Sequence, residues 1–133
     1  MKACGLMADF PHFLCPGQAE GLVLRLDEPL SLWGGLDAAT GRIIDQHHPQ
    51  VGMSISGTML VMPSGRGSSS ASAVLLEAIR CGTAPAAIIM EHPDAIVALG
   101  AIVAAELYDV TLPVVVVSPQ TLATYITGDS LSL

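Results

Sequence analysis

The chain has 133 residues, enough for one domain built around one hydrophobic core. Apolar residues make up 51% of it and charged residues only 13%, with a formal net charge of −7. An acidic chain of this kind is excluded from nucleic-acid binding, which needs a basic surface against phosphate. No apolar run reaches the roughly 18 residues of a membrane span, so no membrane role is expected. So few charges cannot cover the outside. Apolar surface is left over, which suggests a chain that works as a subunit.

Residues 1–19 read as an irregular N-terminal segment. They hold no basic region followed by a sustained apolar stretch, so no secretory signal is expected and the compartment is expected to be the cytoplasm. Residues 20–26 alternate and predict a strand with Leu22, Leu24 and Leu26 on one side. Residues 27–45 are too punctuated for a helix; 37–41 predict a tight turn and 42–45 a short strand. Residues 46–52, with His47 and His48, predict a solvent-facing loop. Adjacent side chains rarely reach one metal ion, and no third ligand stands at a useful spacing. Residues 58–62 predict a buried strand.

The second half alternates. Residues 68–81 predict a helix stopped by Gly82. Strands follow at 86–90 and at 113–117, the latter a run of four valines that implies a strand covered on both faces. Helices are expected at 93–106, with Pro93 near the first turn, and at 119–125. A turn at 128–130 leads to a last short strand. The organisation is therefore mainly strands and loops over 20–62, then alternating helix and strand over 63–128. That alternation implies right-handed crossovers and a parallel sheet. The fold expected is α/β, a single β/β/α domain over 1–133.

The segment 63–72, Pro-Ser-Gly-Arg-Gly-Ser-Ser-Ser-Ala-Ser, carries the most chemistry. It lies where a strand ends and a helix begins. Free amides at a helix start suit an anion. Glycines let a ligand approach the backbone, and the Arg66 fork matches a carboxylate or a phosphate. The spacing is neither a Walker A loop, nor Gly-x-Gly-x-x-Gly, nor a Gly-x-Ser-x-Gly elbow. A plain loop with one of Ser68, Ser69 or Ser70 as helix cap is the alternative. A second candidate is Ser31-Leu32-Trp33-Gly34-Gly35-Leu36-Asp37. There Asp37 is either a base or hydroxyl ligand, or an Asp-turn residue, and Trp33 a core residue or an interface anchor. Glu91 and His92 stand at the C-terminal end of a strand, where ligands often bind. Cys4, Cys15 and Cys81 form no Cys-x-x-Cys pattern and read as reduced thiols. No complete catalytic set emerges, which suggests half an active site.

Three motifs in order are Pro29-Leu30-Ser31-Leu32-Trp33-Gly34-Gly35-Leu36-Asp37 with Thr40-Gly41, then Gly57 with Leu60-Val61, Pro63 and Gly65-Arg66-Gly67-Ser68-Ser69, then Gly82 with Ala84-Pro85 and Ala87-Ile88-Ile89. Together they resemble the small, swivelling-domain subunit of the aconitase X family over roughly residues 17–118. The resemblance implies a swivelling β/β/α domain like the aconitase C-terminal domain, closing over a large subunit. It implies a hydro-lyase inactive without that partner, which would hold an iron or iron–sulfur centre; no cofactor is expected on this chain. The implied substrate is a small hydroxy acid, cis-3-hydroxy-L-proline in bacterial members and mevalonate 5-phosphate in archaeal ones. Arg66, Trp33 and the histidine loop look more bacterial. Ser68 falls where the family has its proton acceptor, with Ser31, Gly34, Gly35, Asp37, Gly65, Arg66, Gly67 and Ser69 as the substrate-binding set. The other classes are a non-catalytic anion-binding or regulatory module and a stand-alone serine hydrolase.

Overall fold

A computed structural model describes residues 11–66 and 69–133. Its centre is a six-stranded sheet of β1 (His12–Cys15), β2 (Glu20–Arg25), β5 (Met59–Met62), β6 (Ala87–Met90), β7 (Val114–Val116) and β8 (Ser130–Ser132), in the order β1-β7-β6-β5-β2-β8. The four inner strands β2, β5, β6 and β7 run parallel, and the two edges, β1 and β8, are antiparallel to their neighbours. A separate pair, β3 (Leu36–Asp37) and β4 (Arg42–Ile43), forms an outer layer. Helix α1 (Ala71–Cys81) links β5 to β6, α2 (Ala95–Tyr108) links β6 to β7, and α3 (Pro119–Leu122) follows β7. The β/β/α organisation expected from the alternation is present.

Period-two side-chain alternation decides which residues enter which core. Leu24, Leu60, Met62, Ile88, Met90 and Val114 face one way and pack with Leu75, Ile79, Val97 and Ala101 of α1 and α2, and with Leu36, Ile43 and Ile55 of the outer layer. Val23, Met59, Val61, Ala87, Ile89 and Val115 face the other way, under Leu122, Tyr125, Leu131 and Leu133. The valine strand is thus buried on both faces. The helices pack closely because Gly100 of α2 lies against the backbone of Ser72, where a Cβ would come within 3.0 Å of the Ser72 carbonyl oxygen.

Three expectations need correction. The segment read as irregular contains β1, a four-residue strand recruited by the open side of β7. Leu22 does not share the burial of Leu24 and Leu26: it is 57% exposed, because the first half of β2 pairs with β8 at the sheet edge and not with β5. His48 does not face solvent. It is 4% exposed, its Nδ1 accepts from the Gln50 amide at 3.0 Å, and its Nε2 lies 3.2 Å from the Glu28 carbonyl. Since Nδ1 accepts, the proton sits on Nε2 and donates to Glu28. Gln50 extends the tie, accepting from the Asp27 amide and donating to the Arg25 carbonyl. The loop is stitched to the end of β2. Among the described residues, no buried side-chain nitrogen or oxygen lacks a partner. No helix among them is long and apolar enough to cross a membrane.

Replacing His48 with Ala strands two part-buried backbone groups. Urea unfolding is expected to show a loss of about 1–3 kcal/mol, whereas His47→Ala, at an exposed position, stays within about 0.5 kcal/mol of the parent.

Candidate functional site

Parallel strands place all their C-terminal ends on one side of the sheet, and crossover helices begin there. The exit of β5 carries Pro63-Ser64-Gly65-Arg66, and α1 begins after Ser70. The exit of β6 carries Glu91-His92-Pro93-Asp94, where α2 begins. These exits are tied together: the amides of Glu91 and His92 both donate to the Pro63 carbonyl, at 3.0 and 3.1 Å. A parallel bridge between Leu30 and Gly65 brings the Ser31–Trp33 segment alongside.

Asp94 organises this corner. Its Oδ1 accepts from the amides of Ile96 (2.9 Å) and Val97 (3.1 Å) and so caps α2. Its Oδ2 lies so close to Gly65 that a Cβ there would stand 2.1 Å from it. A side chain at 65 would therefore force the Asp94 carboxylate to shift. Sequence reading gave the helix start to Pro93 and passed over Asp94. The signal was present, an Asp directly before an apolar helical run. Ser70 occupies the cap position of α1 with no side-chain cap bond, and its carbonyl accepts from Ala73 and Val74.

A small cleft of about 40 Å³ opens among Leu30, Leu32, Gly65, Arg66, Ala71, Asp94, Ile96 and Val97. Ordinary small-molecule pockets measure roughly 300–1,000 Å³, so this corner alone encloses no substrate. The arginines divide sharply. Arg25 donates to the carbonyls of Ala123 and Tyr125, Arg42 to that of Gly52, and Arg80 forms a two-point pair with Glu77 that holds the Glu77 carboxyl below its usual range. Arg66 is exposed and makes no hydrogen bond or ion pair among the described residues. Its guanidinium is available to an anion.

The other candidates fall as follows. Gly67 and Ser68 lie outside the described residues. Ser69 is exposed, next to the start of α1. The Ser31 hydroxyl donates to the Trp33 carbonyl at 3.0 Å. Gly34 is exposed, and Gly35 is buried against Leu30 and Asp45. Asp37 is not brought to this corner. Its carboxylate accepts from the Ala39 amide (3.1 Å) and the Thr40 hydroxyl (3.0 Å), and its carbonyl from Gly41 (2.7 Å). That turn packs on Thr83, beyond the far end of α1. The eleven residues of α1 span roughly 16 Å at about 1.5 Å each, so the arrangement matches the Asp-turn alternative. Glu91 and His92 do stand at the corner, 3.1 Å apart at their side chains.

No three His, Cys, Asp or Glu side chains among the described residues gather as a metal site. Cys15 is buried, and burial pushes its thiol above its ordinary value, against the thiolate that ligation needs. These residues do not fit an iron or iron–sulfur centre.

Comparison with known proteins bears on the domain as a whole. The family model described as the aconitase X swivel domain matches residues 11–133. A cis-3-hydroxy-L-proline dehydratase of Pseudomonas aeruginosa is 49% identical over 104 residues, 78% of this chain but 18% of that one. A phosphomevalonate dehydratase small subunit of Methanothermobacter thermautotrophicus is 49% identical over 88 residues, 66% of this chain and 67% of that one. The crystal structure of Thermococcus kodakaraensis aconitase X in its holo form superposes with a TM-score of 0.80 at 35% identity, over 91% of this chain and 86% of that one. The chain thus spans under a fifth of the Pseudomonas dehydratase and about two thirds of the archaeal subunit.

Asp94→Ala is expected to lose about 1 kcal/mol in calorimetric unfolding, and Asp94→Asn, which keeps the cap, much less. Gly65→Ala destabilises by pushing on the Asp94 carboxylate. Combined with Asp94→Ala its penalty shrinks, and a strictly additive double mutant would contradict the contact.

Proposed function

Because the chain belongs to the aconitase X swivel-domain family, we propose that it is the small, swivelling component of an aconitase X-type hydro-lyase that dehydrates a small hydroxy acid, cis-3-hydroxy-L-proline foremost. The observation that carries this reading is Arg66, exposed and unpaired among the described residues beside a cleft too small to enclose a substrate. A cation without a partner suits a carboxylate, and a half-closed corner suits a domain that shuts over a larger body.

Dehydration of a β-hydroxy acid removes a proton next to a carboxylate and expels hydroxide. Ser68, two residues after Arg66 in the sequence, is assigned as proton acceptor. Its alkoxide form needs nearby positive charge, which Arg66 and the amides at the start of α1 supply. Arg66 orients the substrate carboxylate, and closure excludes water from the corner. The iron or iron–sulfur centre is assigned to the large partner, together with most substrate contacts and the departing hydroxyl.

The coverage of 78% of this chain by the Pseudomonas dehydratase favours hydroxyproline. A second reading, mevalonate 5-phosphate, is favoured by the equal identity of the archaeal subunit. Arg66 serves a phosphate equally well.

The test is co-expression with the large aconitase X chain of the same genome and assay of both substrates. Ser68→Ala is expected to lower kcat by about 10²-fold or more with the complex intact; near-normal turnover would remove Ser68 from the mechanism. Arg66→Ala is expected to raise KM more than Arg66→Lys does, and equal values for the two would argue against an oriented two-point contact.

A further inference from the structure

The outer layer carries an apolar surface that its own fold leaves uncovered. Ile44 follows β4, and its amide donates to the Gly35 carbonyl at 2.8 Å. On the other side of β4, the Ile43 amide donates to the Met53 carbonyl and the Gly52 amide to the Ile43 carbonyl, at 2.9 and 2.7 Å. These bonds join Gly35, Ile43–Ile44 and Gly52–Met53 in one small layer, in which Trp33, Ile44, Val51 and Met53 each lie within two residues of a bonded position. All four are exposed, Trp33 most at 59%.

Trp33 is held in place by its backbone. The Ser31 hydroxyl grips its carbonyl, Gly34 follows in the left-handed region at φ 81°, and the Leu36 amide donates back to the Leu32 carbonyl. Leu32 and Gly35, on either side, are buried. A tight turn with both shoulders sunk in the core thus projects the chain's only tryptophan outward, and its indole N–H has no partner among the described residues. A large aromatic fixed in advance loses little freedom when it is covered, which is how interface anchors gain affinity.

The position of this surface points to what covers it. Through Leu30 and Gly65 the layer adjoins the Arg66 cleft, which Leu30 and Leu32 help to line. Leu32, the neighbour of Trp33 in sequence, is part of that lining, so a body seated on Trp33 stands beside the cleft. In the Pseudomonas dehydratase the matching stretch is 18% of the chain, so a much larger body accompanies this domain there.

We propose that the Trp33–Ile44–Met53 surface is the docking face for the large aconitase X chain, with the Trp33 indole entering an apolar hollow that offers a hydrogen-bond acceptor at its rim. The proposal rests on the family function above and adds the surface through which the partner completes the cleft. The rival surface is the outer side of α2, where Leu99 and Ile102 are exposed.

The experiment is calorimetric titration of this chain, and of its Trp33→Ala, Ile44→Glu and Ile102→Glu variants, into the purified large chain, with thermal melting of each free variant and sedimentation of each alone. Expected are melting points near the parent's, since these side chains are exposed. Expected too is a Kd weakened about 30-fold or more by Trp33→Ala and by Ile44→Glu, with Ile102→Glu within about threefold of the parent. Unchanged binding by the first two variants, or loss confined to Ile102→Glu, overturns the docking face while leaving the hydro-lyase reading in place. A dimer of this chain alone that Trp33→Ala dissociates overturns the occupant. A parent chain that fails to bind the large chain at all overturns both readings.

Discussion

The Asp94 carboxylate is the joint on which the rest of the candidate site depends. One oxygen fixes the start of α2, and the other abuts Gly65 at the exit of β5. Gly65 in turn bridges to Leu30, which leads into the outer layer. Three elements distant in sequence are thereby held within one side chain of each other. Each contact is small in energy, since a helix cap contributes about 1 kcal/mol. No larger residue at 65 leaves the carboxylate where it is.

The layout that results separates two jobs. The sheet and its two buried faces supply stability, with Leu60, Met62, Ile88 and Met90 on one side and Val61 and Ile89 on the other, all fully buried. The loops at the strand exits are where the chain leaves groups open: Arg66 without a counter-ion among the described residues, Trp33 in solvent, and a cleft too small to enclose a substrate. A half-site and an uncovered apolar layer are the same statement made twice, once in polar and once in apolar terms. The low charged fraction already hinted at it.

Much of the second half was legible because its signals are local. An apolar run with proline close before or after it marks β5, β6 and β7, and Gly82 ends α1 where expected. The first half was less legible because its structure is decided by partners far away. β1 forms only because β7 offers an open edge, and nothing in the alternation of His12 to Cys15 announces it. His48 looked like a loop residue because the sequence does not reveal that Glu28 and Gln50 close around it. Asp37 shows the limit for site residues. Its neighbourhood matched a motif, yet the turn it closes lies at the opposite end of α1 from Arg66.

The antiparallel edge at β8 has a consequence for how the chain folds. β2 is among the earliest strands in sequence, but Glu20 pairs with Ser132, and the Leu133 amide closes onto the Ala19 carbonyl at 2.8 Å. Between them runs nearly the whole domain. The lid over Met59, Val61 and Ile89 also comes from this late segment, through Leu131 and Leu133. Contacts of such sequence separation form slowly, because the intervening chain must first be ordered. On the ribosome the α1–α2 side of the sheet can assemble while its other face stays partly bare until Leu131 and Leu133 emerge. The vulnerable moment of this domain is therefore the interval before that segment emerges, with a half-covered parallel sheet as the species a chaperone would meet.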